Sequence, residues 1–232
     1  SRIDVEALPE ANAAYMEWTA EVSNAGGQQQ EARLTLALPE GAVASRATLW
    51  VDGVQRETSV AARVEARAAY ESVVARRRDP LLVTTDGSGR LLVQAFPILP
   101  GERMKFRIGV TAPMLVAADG SRSVGLPAIA ARNFAVPDAL RHDIQVEGAS
   151  GTRGLTMSER QGTSGPVLAG LIPDTLLSRR TARITATALV APVQASGKLG
   201  DIRVSQQIAP ATEAGAAPLI LLVDGSRSNR RS

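Results

Sequence analysis

Residues 224–228 read Asp-Gly-Ser-Arg-Ser, so Asp224, Ser226 and Ser228 present one carboxylate and two hydroxyls at alternate positions. They follow directly on the unbroken apolar run Leu219-Ile220-Leu221-Leu222-Val223. Hard oxygen donors at the C-terminal edge of a buried strand are ligands that Mg²⁺ prefers. The same pentapeptide also occurs at Asp119-Gly120-Ser121-Arg122-Ser123, again behind an apolar stretch. Spacing alone therefore does not make a metal site of either copy.

Other reactive groups are scarce. The chain has no cysteine, which removes thiolate nucleophiles, zinc ribbons, iron–sulfur clusters and disulfides together. His142 is the single histidine, so a His-based catalytic dyad or a multi-His metal site would have to be built from one imidazole. His142 shares its strand side with Ile144 and Val146, which reads as a packed or hydrogen-bonded core residue. Glu17 and Glu21 fall on the polar side of an alternating strand, where a wet sheet surface is expected rather than a general acid/base pair. No glycine-rich loop leads into a helix to cradle phosphate, and no aromatic platform offers stacking to nucleic acid.

The elements that would position these groups are mostly strands. Ala14, Met16, Trp18, Ala20 and Val22 alternate with Tyr15, Glu17, Thr19 and Glu21, as in a half-buried strand. Leu34, Leu36 and Leu38 form a second alternation, and Arg46 to Val51 a third that meets Asp52-Gly53, a dipeptide suited to a tight hairpin turn. From Ser59 to Arg77 the period changes to three and four, placing Ala62, Ala66, Ala69, Tyr70 and Val73 on one face of a helix that Asp79-Pro80 stops. Leu81 to Thr84, Leu91 to Phe96 and Met104 to Val110 return to strand. Beyond Pro113 further strands are expected at 141–147, 167–171, 183–190 and 202–208, separated by Gly-, Ser- and Thr-rich loops.

With 232 residues, 44% of them apolar, the chain can bury a sizeable core without staples. The 3% aromatic content means that Val, Leu, Ile and Ala must fill it. Lys105 and Lys198 are the only lysines among 26 basic residues, and the net charge is +3, which reads as scattered arginine rather than one basic face. The run Arg76-Arg77-Arg78 reads as a solvated helix end, its charge matched to the helix dipole. No stretch approaches the roughly 18 apolar residues of a membrane span, and no signal-like segment opens the chain, whose two ends read as interior to something longer.

Three pieces, Val64 to Glu71, Arg78-Asp79-Pro80 and Phe96-Pro97-Ile98-Leu99-Pro100-Gly101-Glu102, resemble the VIT (vault protein inter-alpha-trypsin) family in order and spacing. The Leu38-Pro39-Glu40-Gly41-Ala42 turn agrees with them. The resemblance implies a mainly β fold: an antiparallel β-sandwich or barrel-like VIT domain with one helix over 1–115, and a second β-sandwich-like segment over 116–210. Residues 211–232 would be a linker and the first strand of an incomplete α/β von Willebrand factor type A domain. Asp224, Ser226 and Ser228 fit the Asp-x-Ser-x-Ser pattern that begins the metal-ion-dependent adhesion site of the type A family. Position 227 carries Arg where that family has Gly, and the chain ends at Ser232, ahead of the family's remaining ligands. Residues 1–232 alone are thus expected not to hold a metal, with Mg²⁺ a ligand of the longer protein.

The function implied is a non-enzymatic interaction or scaffold module with a protein partner, no cofactor, no nucleic acid and no small-molecule substrate. Its setting would be extracytoplasmic or membrane-anchored, any membrane association residing outside this chain. Two other readings stay open: a purely structural spacer of a surface-anchored protein, and a β-sandwich hydrolase using clustered carboxylates.

Overall fold

A computed structural model describes residues 1–58, 60–62, 81–85, 87–162, 165–187 and 194–207. The chain divides into two compact units, residues 1–191 and 192–232. In chain order the first unit contains β1 (Arg2–Leu8), β2 (Ala13–Ser23), β3 (Gln30–Ala37), β4 (Val43–Val51), β5 (Val54–Thr58) and β6 (Val60–Ala62). It continues with β7 (Leu81–Thr85), β8 (Arg90–Ile98), β9 (Arg103–Pro113), β10 (Leu115–Val116), β11 (Ser121–Gly125) and β12 (Ala128–Arg132). Then come β13 (Arg141–Glu147), β14 (Gly151–Arg153), β15 (Ser158–Gln161), β16 (Pro166–Pro173), the one-turn helix α1 (Asp174–Leu177) and β17 (Arg183–Thr187). In the second unit, β18 (Gln194–Leu199) and β19 (Ile202–Gln207) form an antiparallel hairpin.

The mainly β expectation holds, as open sheets rather than a closed barrel. An eight-stranded sheet runs β15-β16-β13-β1-β2-β9-β4-β5, a five-stranded one β12-β3-β8-β7-β6, and a four-stranded one β10-β11-β17-β14. Most pairs are antiparallel, but β1 lies parallel to β13 and β6 parallel to β7. Parallel neighbours need a long connection, and more than a hundred residues separate β1 from β13.

Alternation decides which faces meet. Met16 and Trp18 of β2, Phe106, Ile108 and Val110 of β9, and Leu34 and Leu36 of β3 are buried together with Val83, Leu91 and Val93. The same cluster takes in Ile144, Val146, Ile172 and Ile184, so one core serves all three sheets. Strands beyond residue 115 add to sheets begun before it: β12 pairs with β3 and β13 with β1. The boundary expected at 115/116 thus falls between segments that share both hydrogen bonds and core. Of the helix expected over 59–77, residues 60–62 instead form β6, hydrogen-bonded in parallel to β7, and the rest, like the arginine run 76–78, lies outside the described residues.

Local chemistry fixes several turns. Asp52 (φ 51°) and Gly53 (φ 77°) carry β4 into β5 as the mirror-image turn that matches strand twist. The segment Phe96 to Glu102 is tied to the β2–β3 connection through Asn24, which is buried. Asn24 donates its side-chain amide to Ile98 O at 2.8 Å and Gln28 O at 2.7 Å, and the Gly101 N–H donates to Asn24 O at 2.9 Å. Glycine is required at 148, where φ is +71° and a Cβ would overlap the carbonyl oxygen of Ala7.

Candidate functional site

His142 lies inward, 3% exposed, as its strand side requires. Both ring nitrogens are engaged: Ser1 Oγ is 2.7 Å from Nδ1, and Asp174 Oδ1 is 3.2 Å from Nε2. The Trp18 indole N–H donates to the same Ser1 Oγ at 2.9 Å, and the Trp18 and His142 rings meet edge to face. These contacts assign the proton to Nε2, which donates to the carboxylate while Nδ1 accepts from the serine hydroxyl. Asp174 also accepts two parallel hydrogen bonds from Arg132, at 2.6 and 2.7 Å.

A serine, a histidine and an aspartate in series invite comparison with a hydrolytic triad. Here the imidazole is sealed in the core, the serine oxygen already accepts the indole N–H, and the carboxylate is neutralised by a guanidinium. The arrangement holds strands together and leaves the imidazole no open face. Burial pushes the His142 pKa below its ordinary value, and the Asp174 carboxylate pulls the other way. The hydrogen bonds from Arg132 hold Asp174 below the usual carboxylate range.

The outer face of the eight-stranded sheet carries a second polar group. Glu17 accepts the Tyr15 hydroxyl at 2.9 Å and lies 3.3 Å from Arg107 and 3.5 Å from Arg46. Arg46 also binds Glu57, and Arg107 and Lys105 sit over the Trp50 ring, 4.9 and 4.6 Å from its centroid. Tyr15 reaches this position because residue 109 is glycine: a Cβ there would lie 2.6 Å from the Tyr15 hydroxyl and 2.8 Å from Arg46 Cβ. Burial raises the Tyr15 pKa, and the neighbouring Glu17 raises it further. Glu17 is thus the acceptor of a cross-strand ladder rather than a free carboxylate, whereas Glu21 is exposed and paired to Arg103 at 3.1 Å.

The first Asp-Gly-Ser-Arg-Ser copy forms the β10–β11 turn. Asp119 Oδ1 accepts from Ser121 N at 2.9 Å and Ser121 Oγ at 2.6 Å, which holds the Asp119 pKa down, and Arg122 Nη1 donates to Gly120 O at 3.0 Å. Asp119 Oδ1 and Ser121 Oγ thus close the turn itself. The second copy, with Asp224, Ser226 and Ser228, lies outside the described residues, as does the strand expected over 219–228. Among the described residues, no three His, Cys, Asp or Glu side chains converge as a metal site would require. No helix there is long and apolar enough to cross a membrane.

A shallow groove of about 140 Å³ opens where the Leu38–Glu40 turn approaches β10, β11 and the start of β17. Its lining includes the buried Leu38, Val124 and Leu126, the exposed Leu115, and Arg180 and Arg183. Sequence reasoning missed it, because its lining comes from four separate stretches of chain.

These features describe a β-sandwich whose polar clusters tie strands together and whose open surface is a basic-rimmed groove. The family model of the vault protein inter-alpha-trypsin domain matches residues 1–110. No curated protein matches the chain. Among solved structures, BcpA, the major pilin subunit of Bacillus cereus, is similar at 7% identity and a TM-score of 0.33, over 90% of this chain and 65% of the pilin. A singly substituted form of that subunit gives 7% identity and a TM-score of 0.30, over 85% of this chain and 61% of the pilin. The chain thus spans less than two thirds of the length of these pilin subunits.

Proposed function

We propose that this chain is a non-enzymatic protein–protein interaction and scaffold module, working in adhesion or assembly within a longer VIT and von Willebrand factor type A protein. The observation that carries this reading is the match to the VIT family model over residues 1–110. The VIT sandwich, extended by β12, β13 and β16, is a rigid platform. The segment from Leu219 to Ser228 begins the type A domain, and Asp224, Ser226 and Ser228 contribute to an Mg²⁺ site completed by residues beyond this chain. No cofactor, nucleic acid or small-molecule substrate belongs to the platform; its partner is a protein, and its setting is extracytoplasmic or membrane-anchored.

Titration calorimetry with Mg²⁺ tests this reading on residues 1–232 beside a chain longer by about one domain length. Binding by the longer chain alone, abolished by Asp224→Ala, is the expected result. Absence of binding in both would reduce the Asp224 segment to a turn and remove the type A half of the proposal.

A further inference from the structure

Six arginines of the first unit are matched to carboxylates. Arg2, Arg33, Arg46, Arg103, Arg107 and Arg132 each reach a carboxylate within 4 Å. Other arginines of the unit are not, and two of these line the groove. Arg180 and Arg183 have no ion pair or hydrogen bond to a carboxylate among the described residues, and Glu40 is the only carboxylate on the lining. Arg153 sits directly opposite Arg183 in the β14–β17 register, a like-charge cross-strand pair that repels. A folded sheet gains nothing from that arrangement, whereas an anion laid across it would be held by several guanidinium groups at once.

The base of the groove adds a second requirement. Leu38, Val124 and Leu126 form an apolar floor, and Leu115 stands beside it 46% exposed. A volume of about 140 Å³ admits one side chain. Small-molecule sites usually occupy about 300–1,000 Å³. An apolar anchor seated in a small pocket and ringed by charge is the pattern of an interface hot spot.

We propose that this groove docks an acidic segment of a protein partner, an aliphatic side chain entering the floor and flanking carboxylates pairing with Arg153, Arg180 and Arg183. The inference rests on the interaction-module reading and names the partner chemistry at one of its surfaces. A concave, one-side-chain floor favours a peptide over a lipid surface, since membrane insertion calls for apolar residues that protrude.

The test is fluorescence anisotropy with a short labelled peptide of glutamates around one central leucine, measured on residues 1–232. A matched peptide with serine for the leucine and phosphatidylserine vesicles are titrated beside it. Binding should weaken on the order of tenfold in Arg180→Glu with Arg183→Glu. It should weaken measurably in the loop variant Arg180→Ala, stay unchanged in the distant control Arg56→Glu, and fall when serine replaces leucine. Thermal melts of each variant confirm folding. No peptide binding, equal loss in Arg56→Glu, indifference to the leucine, or binding to vesicles alone would each overturn the proposal. Any of these beside intact, Asp224-dependent Mg²⁺ binding in the longer chain would reject the groove and leave the module reading standing.

Discussion

Arg132 and Asp174 are joined by two parallel hydrogen bonds of 2.6 and 2.7 Å, which tie one sheet to the helix that follows another. Arg132 ends β12, an edge of the five-stranded sheet; Asp174 opens α1, directly after β16 of the eight-stranded sheet. The carboxylate side chain is 8% exposed and also meets His142, so the pair clasps the sandwich and anchors the single imidazole.

Removing one partner should therefore cost more than removing both. Asp174→Ala strands Arg132 and His142 without their acceptor and is expected to lower unfolding free energy by roughly 3 kcal/mol. Arg132→Met combined with Asp174→Leu replaces the pair by apolar volume and should recover most of that loss. Urea unfolding of Arg132→Met, Asp174→Leu and the double checks this, and a loss in the double equal to the sum of the two single losses would show that the clasp contributes no coupling.

The buried imidazole sets an acid limit on stability. The His142 pKa is depressed in the folded protein, so below the ordinary value of about 6.5 the unfolded chain binds more protons than the folded one. Stability should fall as pH drops below that value. Asp174 is also depressed, and adds a second loss at lower pH, once unfolded carboxylates begin to protonate. Melting temperatures from pH 8 to 3 should show both steps, and His142→Gln should remove only the upper one.

Gly148→Ala should destabilise by roughly 1–3 kcal/mol, because the position combines a left-handed backbone with contact against the Ala7 carbonyl. Since β1 and β13 meet there, amide exchange should quicken along that parallel pair before it does along β3 and β8. Uniform protection loss would contradict so local an origin.

Glu17→Gln leaves the shape of the outer ladder intact but removes the charge that Arg46 and Arg107 share. A loss of about 1 kcal/mol, diminishing as salt is added, is expected from a partly exposed network. Assay of the same variant on a glycoside panel also addresses the hydrolase alternative. Turnover by the parent chain that disappears in Glu17→Gln would assign Glu17 a catalytic part.

Much of this architecture is legible from local rules. The alternation of Met16, Trp18, Phe106, Ile108 and Val110 places their strands and inner faces, and Asp52-Gly53 marks its turn, because side-chain period and positive φ are properties of a few consecutive residues. The inward place of His142 follows from the same period. Less was visible where alternation is short or absent, as in β10, β14 and β15. Nothing local in β1 marks its place between β13 and β2 at the centre of the largest sheet.

By itself the sequence determined a likeness to the VIT domain over its first half, a mainly β fold, and which residue of each alternating pair faces the core. Tertiary structure alone decided that residues beyond 115 join the same sheets, that Asp119 closes a turn, and that Glu17 and His142 are partnered. It also brought Arg153 opposite Arg183 beside an apolar groove. The division has one physical cause. Periodicity and turn chemistry act between near neighbours in the chain, whereas sheet order, most of these ion pairs and the groove join residues from separate elements, which become adjacent only when the core closes.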